Sequence, residues 1–480
     1  MTQAAMSPRQ TRLLLAAMLS GLLLAMLDQT IVGTALPTIV GSLGGGSLYA
    51  WAVTAYIVPA TVSLPIYARL SDRYGRRDLL LVGMGLFLAG SALSATAGSM
   101  GQLIVWRAVQ GLGAGALEGL SFILVADLFR GKRSVAWQSA MAALMAFSFL
   151  GGPLLGGLLC DHFGWRSVFT VNLPIGVAAM FVMAGVLPRS LGRSERRDVP
   201  PDYAGMVLLT GAIGLLLLGL SGRGMPVPGS DELRAWTDLS TGGAIAGGLA
   251  LLVAFLFAEQ RAAAPLLPLR LLRDRKLAAI MVTGTAASSA MFASVLLLPR
   301  YFQEIRHVSA THSGLLIYPL LVGVLLSVNL GAALIVRTQA FRTVLLGGCA
   351  LVCLGAAGFA TFDSHTPGWE SSLFMALIGL GVGPTFSGLQ IAVQRSVAPR
   401  DMGAAMGTLI LLRQVGGVVA LAAAETIYVG RLWGVHTQEA AASATGAGVF
   451  TISLAGALIA IAALTSLPRA ARRLPVPALA

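Results

Sequence analysis

Four ionisable side chains lie inside long apolar runs of the chain: Asp28, Arg107, Glu118 and Arg413. A charge at the centre of a hydrocarbon layer costs about 2.5–3.5 kcal/mol, so each needs a partner, a wet cavity or a task. Asp28 sits about seven residues before its run ends, and Arg107 about five after its own begins, in runs that cross in opposite directions. At ~1.5 Å per residue the two lie within one or two turns of the same depth and pair if their helices are neighbours. Such a couple is either a carboxylate–guanidinium switch on a substrate or proton path, or a structural salt bridge. The switch is the favoured reading, because intramembrane ion pairs are poor stabilisers and need another reason to exist.

Glu118 follows Arg107 by eleven residues, which is three helical turns, and so points nearly the same way, ~16 Å further along. With no cation at its depth, a carboxyl there can load and release a proton, or it can reach interfacial water. Arg413 is near the middle of its run, ahead of Gln414 and the pair Gly416-Gly417. It could bind an anionic group, counter a carboxylate across a bundle, or hydrogen-bond to carbonyls. Glu425, at the outer end of the same run, is expected to be wet.

The elements that carry these residues follow from hydropathy. Of 480 residues, 56% are hydrophobic and 11% charged, with mean hydropathy +0.80, too few charges to coat a soluble domain of this length. The excess is spread over runs of membrane-spanning length. Lipid leaves no water for unpaired backbone groups, and the runs do not alternate as barrel strands would. The expectation is an all-α polytopic membrane protein with fourteen spans. The first six are 12–35, 49–68, 78–98, 102–127, 135–159 and 166–187; two follow at 204–221 and 240–258. The last six are 277–300, 313–336, 341–361, 371–394, 402–426 and 446–467. The first run is too long, and too interrupted by Asp28, to read as a cleavable leader.

The net charge of +13 is not a nucleic-acid footprint, because of where the charges sit. Twenty-five of the 33 Lys and Arg fall in alternate loops and the tails, against six in the opposite loops, which places both termini in the cytoplasm. The organisation is a six-helix bundle over 1–187, a linker with two additional spans over 188–276, and a second bundle with a cytoplasmic tail over 277–480. Within the middle part, 188–203 reads as a linker and 259–276 as a basic segment along the membrane surface. A shift of 264 residues aligns Ala68–Arg73 with Ala332–Arg337, a faint internal repeat in which Val336 replaces Asp72. Cys160, Cys349 and Cys353 read as packing residues, with neither a disulfide framework nor a metal site.

Two glycine patterns concern packing. Gly111, Gly115 and Gly119 form a small-residue stripe that admits a close neighbour. Gly151-Gly-Pro-Leu-Leu-Gly-Gly157 combines small residues with Pro153, which removes a helix hydrogen bond and is expected to bend the helix.

Together these motifs resemble the major facilitator superfamily, and within it the fourteen-span drug:proton antiporters of the EmrB/QacA type, over nearly the whole chain. Leu27-Asp-Gln-Thr-Ile-Val-Gly-Thr-Ala-Leu-Pro37 is similar to the family's first-span signature, whose acid is implicated in coupling and cation recognition. Leu70-Ser-Asp-Arg-Tyr-Gly-Arg-Arg77 resembles the gating loop after span 2, which implies a switching role for Asp72, Arg73, Gly75, Arg76 and Arg77; Ala68 stands where the family has glycine. Arg107-Ala-Val-Gln-Gly-Leu-Gly113 resembles the span 4 motif, whose arginine is associated with proton transfer. Gly152, Pro153, Gly156 and Gly157 are similar to the antiporter motif, with Ser148 in place of a glycine. Asn172-Leu-Pro-Ile-Gly176, Leu298-Pro-Arg-Tyr-Phe-Gln303 and Arg413-Gln-Val-Gly-Gly417 are also family-like. Glu118 has no counterpart in the shared pattern.

The resemblance implies the major facilitator fold, two six-helix bundles plus the extra pair, as a monomer in a bacterial inner membrane. It implies alternating access, with protons and a small organic substrate competing for intramembrane carboxylates, no cofactor and no nucleic acid. A dedicated exporter of one metabolite is the alternative. An uptake symporter is disfavoured by the span 5 motif, and an enzyme by the lack of any nucleophile–base pair, metal cluster or phosphate loop.

Overall fold

The computed structural model describes residues 8–128, 132–187, 202–222, 234–262, 265, 269–398, 401–433, 435 and 437–467. Its described residues form two compact units, Met1–Pro201 and Asp202–Ala480. In the first unit the long helices are α1 (Pro8–Leu43), α2 (Tyr49–Tyr74), α3 (Arg76–Ala95), α4 (Met100–Leu128), α5 (Lys132–Phe163) and α6 (Asn172–Val186). The second opens with α7 (Tyr203–Gly222) and α8 (Ala244–Arg261), which pack on each other. It continues through α9 (Arg275–Arg300), α10 (Tyr318–Thr338), α11 (Phe341–Phe359), α12 (Gly368–Gln394), α13 (Met402–Leu432) and α14 (Gln438–Thr465).

Thirteen helical stretches among the described residues are long and apolar enough to cross a membrane, and α2 holds a shorter apolar stretch, Tyr49–Leu64. The chain is a multi-pass membrane protein. Several helices outrun the apolar runs read from the sequence: α1 ends at Leu43 rather than near 35, and α13 at Leu432 rather than 426. Hydropathy marks only the hydrocarbon-facing part, while the backbone stays helical as it leaves the apolar layer.

Each unit repeats one packing plan. In the first, α4 packs on α2 and α3, and α1 on α5 and α6; in the second, α12 packs on α10 and α11, and α9 on α13 and α14. The faint repeat is therefore structural. The shift of 264 carries the α2–α3 link Gly75 onto the α10–α11 link Gln339, and both adopt positive φ, 94° and 55°. It also carries Ser63 onto Ser327, whose hydroxyls donate to Ala60 O at 3.2 Å and Val324 O at 3.1 Å. In both units a glycine faces that serine across the seam, Gly115 on α4 and Gly383 on α12, and a Cβ on either would collide with it. Those glycines are 268 residues apart, so the α12 contact has slipped one helical turn against its counterpart.

Candidate functional site

In the first unit, α1 and α4 bring Asp28 and Arg107 into a salt bridge, each about 1% exposed. Arg107 Nη1 also donates to Gln110 Oε1 at 2.8 Å, and Gln110 Nε2 to Asp28 Oδ1 at 2.8 Å. From α6, Asn172 Nδ2 donates to the same Oδ1 at 3.0 Å and approaches Ser91 Oγ at 3.0 Å. Tyr56 of α2 lies 4.2 Å beneath the guanidinium and donates its hydroxyl to Ala25 O at 2.7 Å. Both carboxylate oxygens are occupied, one by arginine and one by two amides, as a buried charge requires. Five helices thus contribute to one polar knot in an apolar surround.

Sequence reasoning anticipated the pair but not the amides. Gln110 and Asn172 lie in noted motifs, yet neutral polar residues barely disturb hydropathy. Glu118 lies two turns and more along α4 from Gln110, half-buried, and among the described residues no hydrogen bond or ion pair holds its carboxylate.

The motifs beside the knot interlock with it. Two residues after Asp28, Thr30 donates to Ser148 O of α5 at 3.1 Å. Gly152 faces Thr30 so closely that a Cβ would collide with its hydroxyl, and Gly156 faces the Ile31 backbone at 2.6 Å from such a Cβ. Pro153 and Gly157 are buried in the same helix, which is continuous from Lys132 to Phe163. At the α2–α3 link, Gly75 adopts φ 94° and ψ 146°, a conformation essentially closed to other residues. From the next turn Arg77 Nη2 donates to Ala184 O at 2.5 Å, where the last carbonyls of α6 lack helical partners. Arg76 is half-buried beside it. The side chains of Asp72 and Arg73 lie outside the described residues.

In the second unit, Arg413 is buried, with its guanidinium 3.6 Å from the centroid of the Phe386 ring on α12. Among the described residues of that unit it has no carboxylate partner. The expectation that Glu425 is wet is overturned: it is 5% exposed and accepts from Arg300 Nη1 at 2.9 Å. Arg300, the last residue of the span read at 277–300, closes α9 at 9% exposure. Glu425 was misplaced because α13 runs on to Leu432, past the end of its apolar run, and Arg300 at the end of α9 lies against it. Among the described residues, no three His, Cys, Asp or Glu side chains converge as a metal site. Cys160 and Cys349 are buried free thiols.

Comparison with known proteins agrees with this architecture. Residues 18–421 match the family model described as Major Facilitator Superfamily. The chain is 32% identical over 408 residues to the multidrug transporter protein MdtP of Bacillus subtilis, covering 84% of this chain and 73% of that protein. It is 30% identical over 398 residues to the acurin A biosynthesis cluster MFS-type transporter of Aspergillus aculeatus, covering 82% and 71%. A solved D-xylose-proton symporter superposes with TM-score 0.65 over 97% of this chain and 99% of its own, at 14% identity, a likeness of fold. With its paired six-helix plan, its buried Asp28–Arg107 knot and a family match spanning most of its length, the chain belongs to the major facilitator superfamily.

Proposed function

We propose that the protein is a proton-coupled efflux antiporter that exports drug-like organic molecules by alternating access. The reading takes it as a monomer in a bacterial inner membrane, with fourteen spans, both termini cytoplasmic and the division 1–187, 188–276 and 277–480. The observation that carries it is the buried knot: a carboxylate whose charge is balanced by one guanidinium and shared by two amides. Protonating Asp28 discharges the pair and lets α1 separate from α4, so a proton taken from outside exchanges for substrate carried from inside. The interlock of Thr30 and Ile31 with Gly152 and Gly156 gives that event a route into α5. Arg413, buried without a carboxylate in its own unit, is the group that would meet a substrate's acceptor atoms, and Glu118 a carboxylate open to a proton or a cationic substrate. The drug-like substrate class is supported by the name of the Bacillus subtilis relative, a multidrug transporter.

The test is ethidium export from proteoliposomes under an imposed pH gradient. Wild-type protein should export when the gradient is applied and stop when it is collapsed. Asp28→Asn should abolish gradient-driven export while still reaching the membrane; undiminished coupled export by this variant removes Asp28 from the mechanism. If Glu118→Gln leaves the pH dependence of transport unchanged, its assignment fails. A dedicated exporter of one metabolite is the second reading, favoured by the relative named for a biosynthesis cluster. A panel of dyes and cationic drugs separates the two: several compounds moved supports multidrug export, one moved supports the dedicated exporter.

A further inference from the structure

The second unit lacks the Asp28–Arg107 pair: the shift of 264 carries Asp28 onto Phe292, and the one-turn slip carries Arg107 onto Met375. It holds a different buried charge cluster. Helices α9 and α13 run parallel, with Ser288 Oγ donating to Arg413 O at 2.9 Å and Arg300 Nη1 to Glu425 Oε1 at 2.9 Å. Both contacts span 125 residues, so the register is kept over twelve residues, ~18 Å of helix.

At the far end of that seam, two carboxylates share one guanidinium. Arg300 Nε donates to Glu304 Oε2 at 3.0 Å while its Nη1 holds Glu425, and Tyr428 lies 4.2 Å from the guanidinium carbon. Glu304 rides on a single π-turn, Tyr301–Ile305, closed by the Arg306 amide donating to Tyr301 O at 3.1 Å. Such turns often mark functional positions. Glu425 Oε1 is taken by the arginine, but Oε2 is buried and has no hydrogen-bond partner among the described residues. Among the described residues, the charged partners recorded for this cluster are its own members. From α9 and its π-turn the facing charged groups are Arg300 and Glu304; from α13 itself the titratable neighbour is Tyr428. α7 offers the carbonyl of Leu220, which accepts from Thr426 at 2.9 Å, and α14 offers Gly448, packed on Ala424 and Leu297.

The contrast with Asp28 decides the argument. A proton arriving at Asp28 must displace a donor, because both oxygens are engaged. A proton arriving at Glu425 finds a bare oxygen, and binding there cancels the surplus negative charge of a cluster with two carboxylates and one guanidinium. We propose that Glu425 is a second proton-carrying carboxylate, and that protonation at Oε2 hands Arg300 over to Glu304. One O–H bond breaks in a hydronium ion of the outer aqueous phase as one forms at Oε2, and a later transfer from Oε2 to water restores the carboxylate. The handover loosens α9 from α13 at their outer ends, so the C-terminal unit responds to the proton that the antiporter reading, on which this rests, requires. Glu304, 36% exposed at its side chain, is the member of the cluster in touch with solvent.

The test uses the full chain in lipid and follows the carboxylic C=O stretch by infrared difference spectroscopy as pH is varied. Wild type should show a titrating band that Glu425→Gln lacks and Glu425→Asp restores. A Glu425→Gln spectrum that retains every titrating carboxyl overturns the proposal. Should that variant fail to fold, Glu304→Gln, at the solvent-exposed partner, should displace the midpoint of the band by about half a pH unit; an unmoved midpoint overturns the proposal as well. In proteoliposomes, Glu425→Gln should alter the pH profile of ethidium export about tenfold at its extremes, and a superimposable profile refutes the coupling role. Absence of any gradient-driven export by wild type refutes the antiporter reading instead, and does so without touching the infrared result.

Discussion

Replacing Gly156 by alanine, beside the same change at Gly151, tests the α1–α5 seam within a single motif. At Gly156 an added Cβ lies 2.6 Å from Ile31 O, 3.1 Å from its Cα and 3.2 Å from its carbonyl carbon. Ordinary contact begins near 3.4 Å, so the helices must part by about 0.8 Å. The obstacle is backbone, which cannot rotate away, and interiors packed to crystal density pass such a shift on to their neighbours. Overpacking costs about 1–3 kcal/mol, and a backbone obstacle places this case in the upper half. Alanine returns about 1 kcal/mol of helix propensity, leaving a net loss of about 1–2 kcal/mol. At Gly151 the same Cβ meets only side-chain atoms, Phe147 at 3.7 Å and Leu155 at 4.0 Å, so the propensity gain of about 1 kcal/mol stands alone. The two variants should therefore differ by about 2–3 kcal/mol in denaturant titrations in one detergent, with Gly156→Ala the weaker. The parting also stretches the Thr30–Ser148 hydrogen bond from 3.1 Å past bonding range, so ethidium export should fall for Gly156→Ala alone. Equal stability of the two, or a weaker Gly151→Ala, would mean that α1 and α5 do not approach as described.

Asp28→Asn and Arg107→Gln should each cost about 3–5 kcal/mol, and the double variant markedly less than their sum, measured as a double-mutant cycle; additive losses would show that the pair is not coupled. Gly75→Ala, at φ 94°, should lose about 1–3 kcal/mol in the same titration, because no side-chain-bearing residue adopts that conformation freely. In the α11–α12 loop, the His365 amide and the Thr366 hydroxyl donate to Asp363 Oδ1 at 2.7 Å and 3.0 Å, and these bonds hold the carboxyl below its usual range. A lowered native value means the turn's stabilisation is present above the ordinary carboxylate range and is lost as pH falls through the native one. Protection of the His365 amide should follow that course, and Asp363→Asn should remove the dependence; an unchanged profile in the variant refutes it.

Asp28 and Arg107 were legible because charge inside an apolar run is rare, and because counting residues along two antiparallel helices gives depth. The amides that complete their knot were not, since Gln110 and Asn172 read as unremarkable polar positions until α4 and α6 are placed side by side. Glu425 was misread for a related reason: nearness to the end of an apolar run says nothing about a neighbouring helix that extends equally far. Arg413 stood out as a charge, but its contact with Phe386 leaves no trace in spacing or composition. The repeat was faint because only Leu70, Arg73 and a few others keep their types. What endures between the halves is geometry: a positive φ at a link, a serine opposite a glycine, a shared order of packing.

The constant register of α9 and α13 has a mechanical consequence. Ser288 pins one point along the pair and Arg300 another, while Gly416 and Gly417 press against Thr285 and Phe292 in the same stretch. Neither rod can slide along the other without shearing every fastening at once. They can only splay, and the fastening that opens with the arrival of a single hydrogen ion is the one at the tip.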